Sequence, residues 1–192
     1  MRSSYRDIWN GVLVPLLMAS SGDTMAGGGA SSFRESRAPL PRGVQTLLEG
    51  NARWCAGTQM HPGVDFARRE WVAREGQHPF AAVRSCADSR VPPELLFDEG
   101  VGDMFVVRVA GNSIDKLGQQ SLQYAVSHLG VSAVLVLGHQ NCGAVKGAVD
   151  AYPGLAPEFL SALYGAISKA KEVIAANGGN PNDKDALCKE RQ

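Results

Sequence analysis

Pro79-Phe-Ala-Ala-Val-Arg-Ser-Cys86 is a short apolar run behind a proline, and its reading decides the fold. A run this short, apolar at nearly every position, suits a buried strand better than an amphipathic helix. Two more runs repeat the pattern. Asp103-Met-Phe-Val-Val-Arg-Val109 is β-branched and sits between Gly102 and Gly111. Val131-Ser-Ala-Val-Leu-Val-Leu137 sits between Gly130 and Gly138. Strands that are almost continuously apolar have both faces covered, the habit of a parallel sheet with helices on both sides. Ile114 to Leu129, between the second and third runs, carries Leu117, Leu122, Ala125, Val126 and Leu129 as the apolar side of a helix. Strand, helix and strand therefore alternate. The expected class is α/β, with a mostly parallel central sheet flanked by helices.

Outward from this core, Gly43 to Cys55 predicts a helix with Val44, Leu47, Leu48 and Trp54 apolar, and Phe66 to Glu75 predicts a second with Phe66, Trp71 and Val72. Both tryptophans read as packing residues. Ala156 to Ala176 predicts a further helix, with Leu160, Leu163, Ile167 and Val173 on its apolar side. Residues 1–40 read as a flexible leader and linker, and 41–192 as a single domain. Within the leader, Arg2 and Arg6 precede the apolar run Gly11 to Met18, a faint signal-peptide pattern. That run follows Asp7, contains Pro15, and falls short of the about 20 apolar residues a membrane span needs. Ser20 to Ser32 is rich in Gly and Ser, as linkers are.

Lysine plus arginine equals aspartate plus glutamate, 19 each, so net charge gives no reason to expect nucleic acid, and no stretch suggests a membrane partner. Four cysteines, Cys55, Cys86, Cys142 and Cys188, are widely spaced in a chain of 192 residues that needs no staples. They read as reduced thiols of a cytoplasmic protein.

Ligands in open parallel sheets gather beyond the carboxyl ends of strands. Cys86 closes the first run, and His139 and Cys142 follow the third. Taken singly, each has a plainer reading as a buried thiol or a loop residue. Together they form a Cys₂His set, which suits zinc and leaves one coordination position open. Cys86-Ala-Asp88-Ser-Arg90 adds a carboxylate and a guanidinium two residues apart, a spacing that predicts an ionised Asp88 held by Arg90. A phosphatase-type anion loop needs a longer separation between its cysteine and arginine.

Cys86-Ala-Asp-Ser-Arg-Val-Pro-Pro, Gly102-Asp-Met-Phe-Val-Val-Arg-Val-Ala-Gly-Asn112, Ser121-Leu-Gln-Tyr-Ala-Val126 and Gly138-His-Gln-Asn-Cys-Gly-Ala-Val-Lys146 resemble the β-class carbonic anhydrases. Glu49-Gly-Asn-Ala-Arg-Trp54 also fits, and the resemblance runs from about Leu47 to about Val149. It implies one zinc ion per chain on Cys86, His139 and Cys142, with Asp88 and Arg90 as the catalytic dyad. In some members the aspartate moves onto the metal as a fourth ligand. The resemblance further implies a carbon dioxide pocket lined by Gln77, Phe105, Tyr124 and Gly143, with Ala110 where some members carry valine. The implied reaction is reversible hydration of carbon dioxide to bicarbonate and a proton. The implied assembly is a homodimer or homotetramer, with the helices of about Gly43 to Glu75 draped over the partner. His61, His78 and His128 are conceivable proton shuttles but read more plainly as solvated surface groups.

Family members continue past the region of Gly178 with a helix and a fifth strand. Asn180 to Gln192 reads as a loop entering that helix, so the fifth strand is expected to be missing and a sheet edge left open. Two alternatives use the same ligands: a hydrolase of a carbon dioxide analogue such as carbon disulfide, and a non-catalytic zinc-binding relative. A four-ligand structural site would require Cys55 or Cys188.

Overall fold

The computed structural model describes residues 40–113, 115–152 and 158–189. The leader, Ile114, Ala156 and residues 190–192 lie outside them. Helices α1 (Arg42–Ala56) and α2 (Phe66–Glu75) precede strand β1 (Ala81–Cys86). Then come α3 (Pro93–Leu96), β2 (Met104–Val109), a single 3₁₀ turn at Ala110–Asn112, α4 (Lys116–His128) and β3 (Ala133–Leu137). The described chain closes with α5 (Gly143–Ala151), α6 (Glu158–Ser161), α7 (Tyr164–Ala176) and α8 (Lys184–Lys189). Among the described residues no helix is long and apolar enough to cross a membrane.

Three strands pair in the order β2-β1-β3, both pairs parallel. Cys86 lies opposite Val109, and Ser85 opposite Leu137, so all three strands end at one edge. The central strand is the buried one: Ala81, Ala82, Val83 and Ser85 are 0% exposed. Coverage of both faces is less complete on the flanking strands, where Val136 is 43% exposed.

Asp65 starts α2 and Asp115 starts α4, each carboxylate accepting an amide three residues on at 2.7 Å. These bonds satisfy donors that a helix start leaves open. Along α4, Ala125 and Gly118 are buried while Leu117 and Val126 stay exposed, a narrower packed side than the apolar pattern suggests. The stretch expected as one helix from Ala156 is broken between Ser161 and Tyr164. Its buried stripe is Leu160, Leu163, Ile167, Ala170 and Ile174, a run of three- and four-residue steps that leaves Val173 outside. Three helices appear where none was expected: the four-residue α3, α5 and α8. In α5, Val145, Ala148 and Val149 are buried beneath small residues. In α8, Asp183 accepts the amides of Asp185 and Ala186, and Leu187 inserts into the core. Trp54 packs on that core, whereas Trp71 is half-exposed under the Arg68 guanidinium, 4.7 Å from its ring centre.

One buried carboxylate ties α1 and the α1–α2 loop to the turn between α3 and β2. Asp98 accepts Arg53 Nε at 2.5 Å and the amides of Met60 and His61. Burial pushes its carboxyl up, but those three donors outweigh burial and bring it down to about 2. Next to it, burial and then Asp103 push Glu99 up to about 7, with Arg53 no nearer than 3.9 Å. At Gly50, where α1 crosses this segment, a Cβ would lie 1.7 Å from the Phe97 carbonyl oxygen.

Gly50→Ala is therefore expected to destabilise the fold by about 1–3 kcal/mol, seen as a lower Tm in a calorimetric scan. Glu99 predicts a pH effect. Its folded-state affinity for a proton exceeds its unfolded one, so stability falls as pH rises from 4.5 to about 7. Glu99→Gln should remove that loss and gain on the order of 1–3 kcal/mol over the parent at about pH 8 relative to about pH 5. Parallel urea-unfolding series at the two pH values check it, and equal pH dependence in both proteins would count against it.

Candidate metal centre

β1 ends on Cys86 and β3 ends one residue before Gly138-His139, so register alone brings these ligands together. Asn141, at φ 56°, turns the chain back, and Cys142 occupies the residue just before α5. There the amides of Ala144 and Val145 point at its sulfur, although burial prevails and pushes the thiol above its ordinary value.

The two sulfurs are 3.8 Å apart. A disulfide would need about 2.05 Å, and all four cysteines are free. Two thiolates about 2.3 Å from a common tetrahedral centre would stand about 3.8 Å apart. With the imidazole, the three ligand atoms lie within 4.8 Å of one another. The donor set and its spacing thus fit a zinc ion.

His139 is prepared for the same role. Its ring is 7% exposed, and Nδ1 lies 3.1 Å from the Gln140 carbonyl oxygen. The carbonyl is the shorter of two contacts at Nδ1, with Arg90 Nη2 at 3.4 Å, and donation to that carbonyl leaves the lone pair on Nε2. Nε2 is buried with no hydrogen-bond partner, which suits a metal-facing nitrogen. Burial lowers the imidazole's proton affinity, against the pull of Asp88.

Asp88 and Arg90 form the expected fork: Arg90 Nε donates to Oδ1 at 2.8 Å and Nη2 to Oδ2 at 2.8 Å. The Arg90 amide also donates to Oδ1, and the arginine holds the carboxyl well below the usual carboxylate range. Oδ2 is 3.9 Å from His139 Nε2. The carboxylate is beside the ligand cluster without belonging to it. Arg90 further donates to the Asn141 carbonyl at 3.2 Å, joining the loop after β1 to the loop after β3.

A small cavity over the cluster is lined by Cys86, Gly111, Asn112, Gly138, His139, Cys142 and Val145. Gly143 is exposed at the start of α5. Gln77, Phe105 and Tyr124 do not line this cavity. Gln77 is exposed before β1, and Phe105 pairs with Ala82 at the opposite end of the strand from Cys86. The Phe105 and Tyr124 ring centres are 6.1 Å apart, and His128 stacks on Tyr124. His61 and His78 are exposed, as is Ala110. Cys55 and Cys188 stand apart from the three-ligand group. Sequence reasoning did not single out Gly111 and Asn112 in the cavity wall, or Arg84 and Arg108 beneath it. The prior signal for Arg108, Gly111 and Asn112 was the block Gly102 to Asn112, and for Arg84 the run Pro79 to Cys86.

A family model described as carbonic anhydrase matches residues 81–192. A carbonic anhydrase of Mycolicibacterium smegmatis is 49% identical over 107 residues, covering 56% of this chain and 52% of that protein. Carbonic anhydrase 2 of Mycobacterium tuberculosis is 49% identical over 107 residues, covering 56% of this chain and 51% of that protein. The chain thus spans about half the length of the curated relatives it matches. Among solved structures, a tetrameric β-carbonic anhydrase of Sordaria macrospora superposes with a TM-score of 0.54 at 25% identity, covering 78% of this chain and 75% of that one.

The geometry predicts stoichiometric Co²⁺ uptake with a thiolate-to-metal charge-transfer band. Cys142→Ser should lose both in titrations followed by absorption, and an unchanged band in that variant would exclude Cys142 as a ligand.

Proposed function

This chain belongs to the carbonic anhydrase family, in its β class, and on that premise we propose that it holds one zinc ion and interconverts carbon dioxide and bicarbonate. The observation that carries the proposal is the Cys86–Cys142 sulfur spacing of 3.8 Å beside an unpartnered His139 Nε2. In the proposed site, Cys86, His139 and Cys142 are the ligands. Bound zinc would supply Lewis acidity, bringing a coordinated water's pKa from about 15.7 towards about 7.

The chain's own residues do the rest. Asp88, kept anionic by Arg90, accepts a hydrogen bond and so orients the attacking oxygen's lone pair toward carbon dioxide. Arg90 keeps the carboxylate turned to itself, and its bond to the Asn141 carbonyl holds the dyad against the ligand loop. Val145 and Gly111 give the cavity a small apolar wall suited to a linear, uncharged substrate. Bicarbonate leaves and the released proton passes to buffer.

The tetrameric assembly of the Sordaria relative supports association of this chain with copies of itself. On that reading Gln77, Phe105 and Tyr124 serve the substrate pocket from across a subunit boundary. Tyr124 is 46% exposed and so accessible to a second copy.

Stopped-flow hydration alongside zinc analysis tests the proposal. Rate should track zinc content, and Asp88→Asn should retain zinc while losing about 10–100-fold in kcat. Full hydration by a metal-free Cys142→Ser protein would overturn the zinc mechanism. A zinc-loaded parent without turnover would overturn the reaction assignment.

A further inference from the structure

We propose that Arg108 is a positioning residue of the metal centre: from β2 it fixes the backbone of Cys86 and of Asp88, and so sets the sulfur ligand and the dyad carboxylate relative to each other. The inference rests on the zinc reading above.

The sheet ladder stops where the site begins. Ala87 N–H still reaches the Val109 carbonyl at 3.1 Å, the first bond beyond the end of β1. Beyond that point one side chain takes over. Arg108 Nε donates to the Cys86 carbonyl at 3.0 Å, and Nη2 donates to the Asp88 carbonyl at 2.6 Å. Arg108 lies opposite Ser85 in the parallel register, one step behind Cys86, so its half-buried stem runs along the strand toward the loop. Two donors of one rigid plane therefore hold two carbonyls two residues apart, which fixes both peptide planes at once.

Those two peptides carry the chemistry. The Cys86 carbonyl belongs to the residue that supplies a sulfur ligand. Arg108 holds Asp88 at its carbonyl oxygen, and the Asp88 N–H, on the peptide between the two that are held, lies 3.4 Å from Cys86 Sγ. Displacing the Asp88 backbone would change that contact with the Cys86 sulfur as well as the origin of the carboxylate. Arg90 and Arg108 thus divide the work: Arg90 orients the Asp88 carboxylate, and Arg108 orients the backbone from which it springs. A reciprocal brace runs the other way, since Arg84 of β1 donates to the carbonyl of Asn112 in the loop after β2. Arg108, by contrast, acts on the backbone of the loop that carries Cys86 and Asp88.

The test uses the full chain and three readouts: Zn²⁺ affinity by chelator competition, the Co²⁺ absorption spectrum, and kcat separated from KM. Arg108→Met keeps a long apolar stem and removes both donors. It is expected to bind Zn²⁺ about 10–100-fold more weakly, to shift the Co²⁺ ligand-field bands, and to lose kcat more than KM. Arg108→Lys keeps the charge without the planar fork and should fall between parent and Met variant. An Arg108→Met protein with parental affinity and spectrum overturns the proposal and leaves the zinc reading standing. Should that variant not fold, Arg108→Lys decides: a shifted Co²⁺ spectrum supports the positioning role, and a parental spectrum and affinity overturn it. A parent chain that takes up neither ion overturns the zinc reading and this inference with it.

Discussion

The parallel pairing of β1 with both neighbours is the constraint on which everything else turns. Parallel strands that start in step also end in step, so the residues following them must emerge on one edge. Here the edge receives Cys86 from β1, the Ala110–Asn112 turn from β2 and the Gly138–Cys142 loop from β3. Ala81, Ala82 and Val83 bury both faces of the central strand, so a shifted register would have to repack both covering layers at once. The core therefore fixes the address of Cys86 before any polar interaction is counted.

At that address the polar groups are arranged in a way that makes poor sense without a cation. Two buried thiols and a buried imidazole nitrogen face one small cavity, and burial disfavours the charged form of Cys142 and His139 alike. A bound metal would reconcile groups so placed, since it takes thiolates and a neutral imidazole together. Around them, positive charge is applied by arginine rather than lysine. Arg90 forks onto Asp88, and Arg108 spans two carbonyls. Both contacts need a planar, multiply donating head group, which an ammonium does not offer. The site is thus assembled by three strand ends and held by guanidinium bonds across its loops.

The leading helices obey a different logic. They attach through Asp98, whose buried carboxylate gathers Arg53 and two amides of the α1–α2 loop, and through the close crossing at Gly50. Glu99, beside this knot but outside its hydrogen bonds, is the carboxyl that burial holds near neutrality. Attachment of the helical arm and construction of the candidate site are therefore separate problems solved at opposite ends of the segment, α3 included, that joins β1 to β2.

Much of this was legible in the residues themselves. Short apolar runs bounded by glycine mark strands because only buried strands tolerate that composition, and Cys86, Asp88, Arg90, His139 and Cys142 stand out because their chemistry is rare at strand ends. Helix α5 was not legible: its small residues carry little periodic signal, and it forms because Val145, Ala148 and Val149 find a core to enter. Helix α8 likewise needed Leu187 to reach that core. The apolar faces of α4 and α7 were partly misassigned at Leu117, Val126 and Val173, since periodicity names a side of a helix but not what stands opposite it. Sequence by itself determined the fold class and marked the Cys₂His set and the Asp88–Arg90 pair, all of which depend on residue chemistry and local spacing. Only the tertiary structure decided the 3.8 Å sulfur spacing, the placing of a His139 ring nitrogen within 4.8 Å of both sulfurs and the grip of Arg108 on two carbonyls. These join residues far apart in the chain, and their geometry exists only once parallel register has set the strand ends side by side.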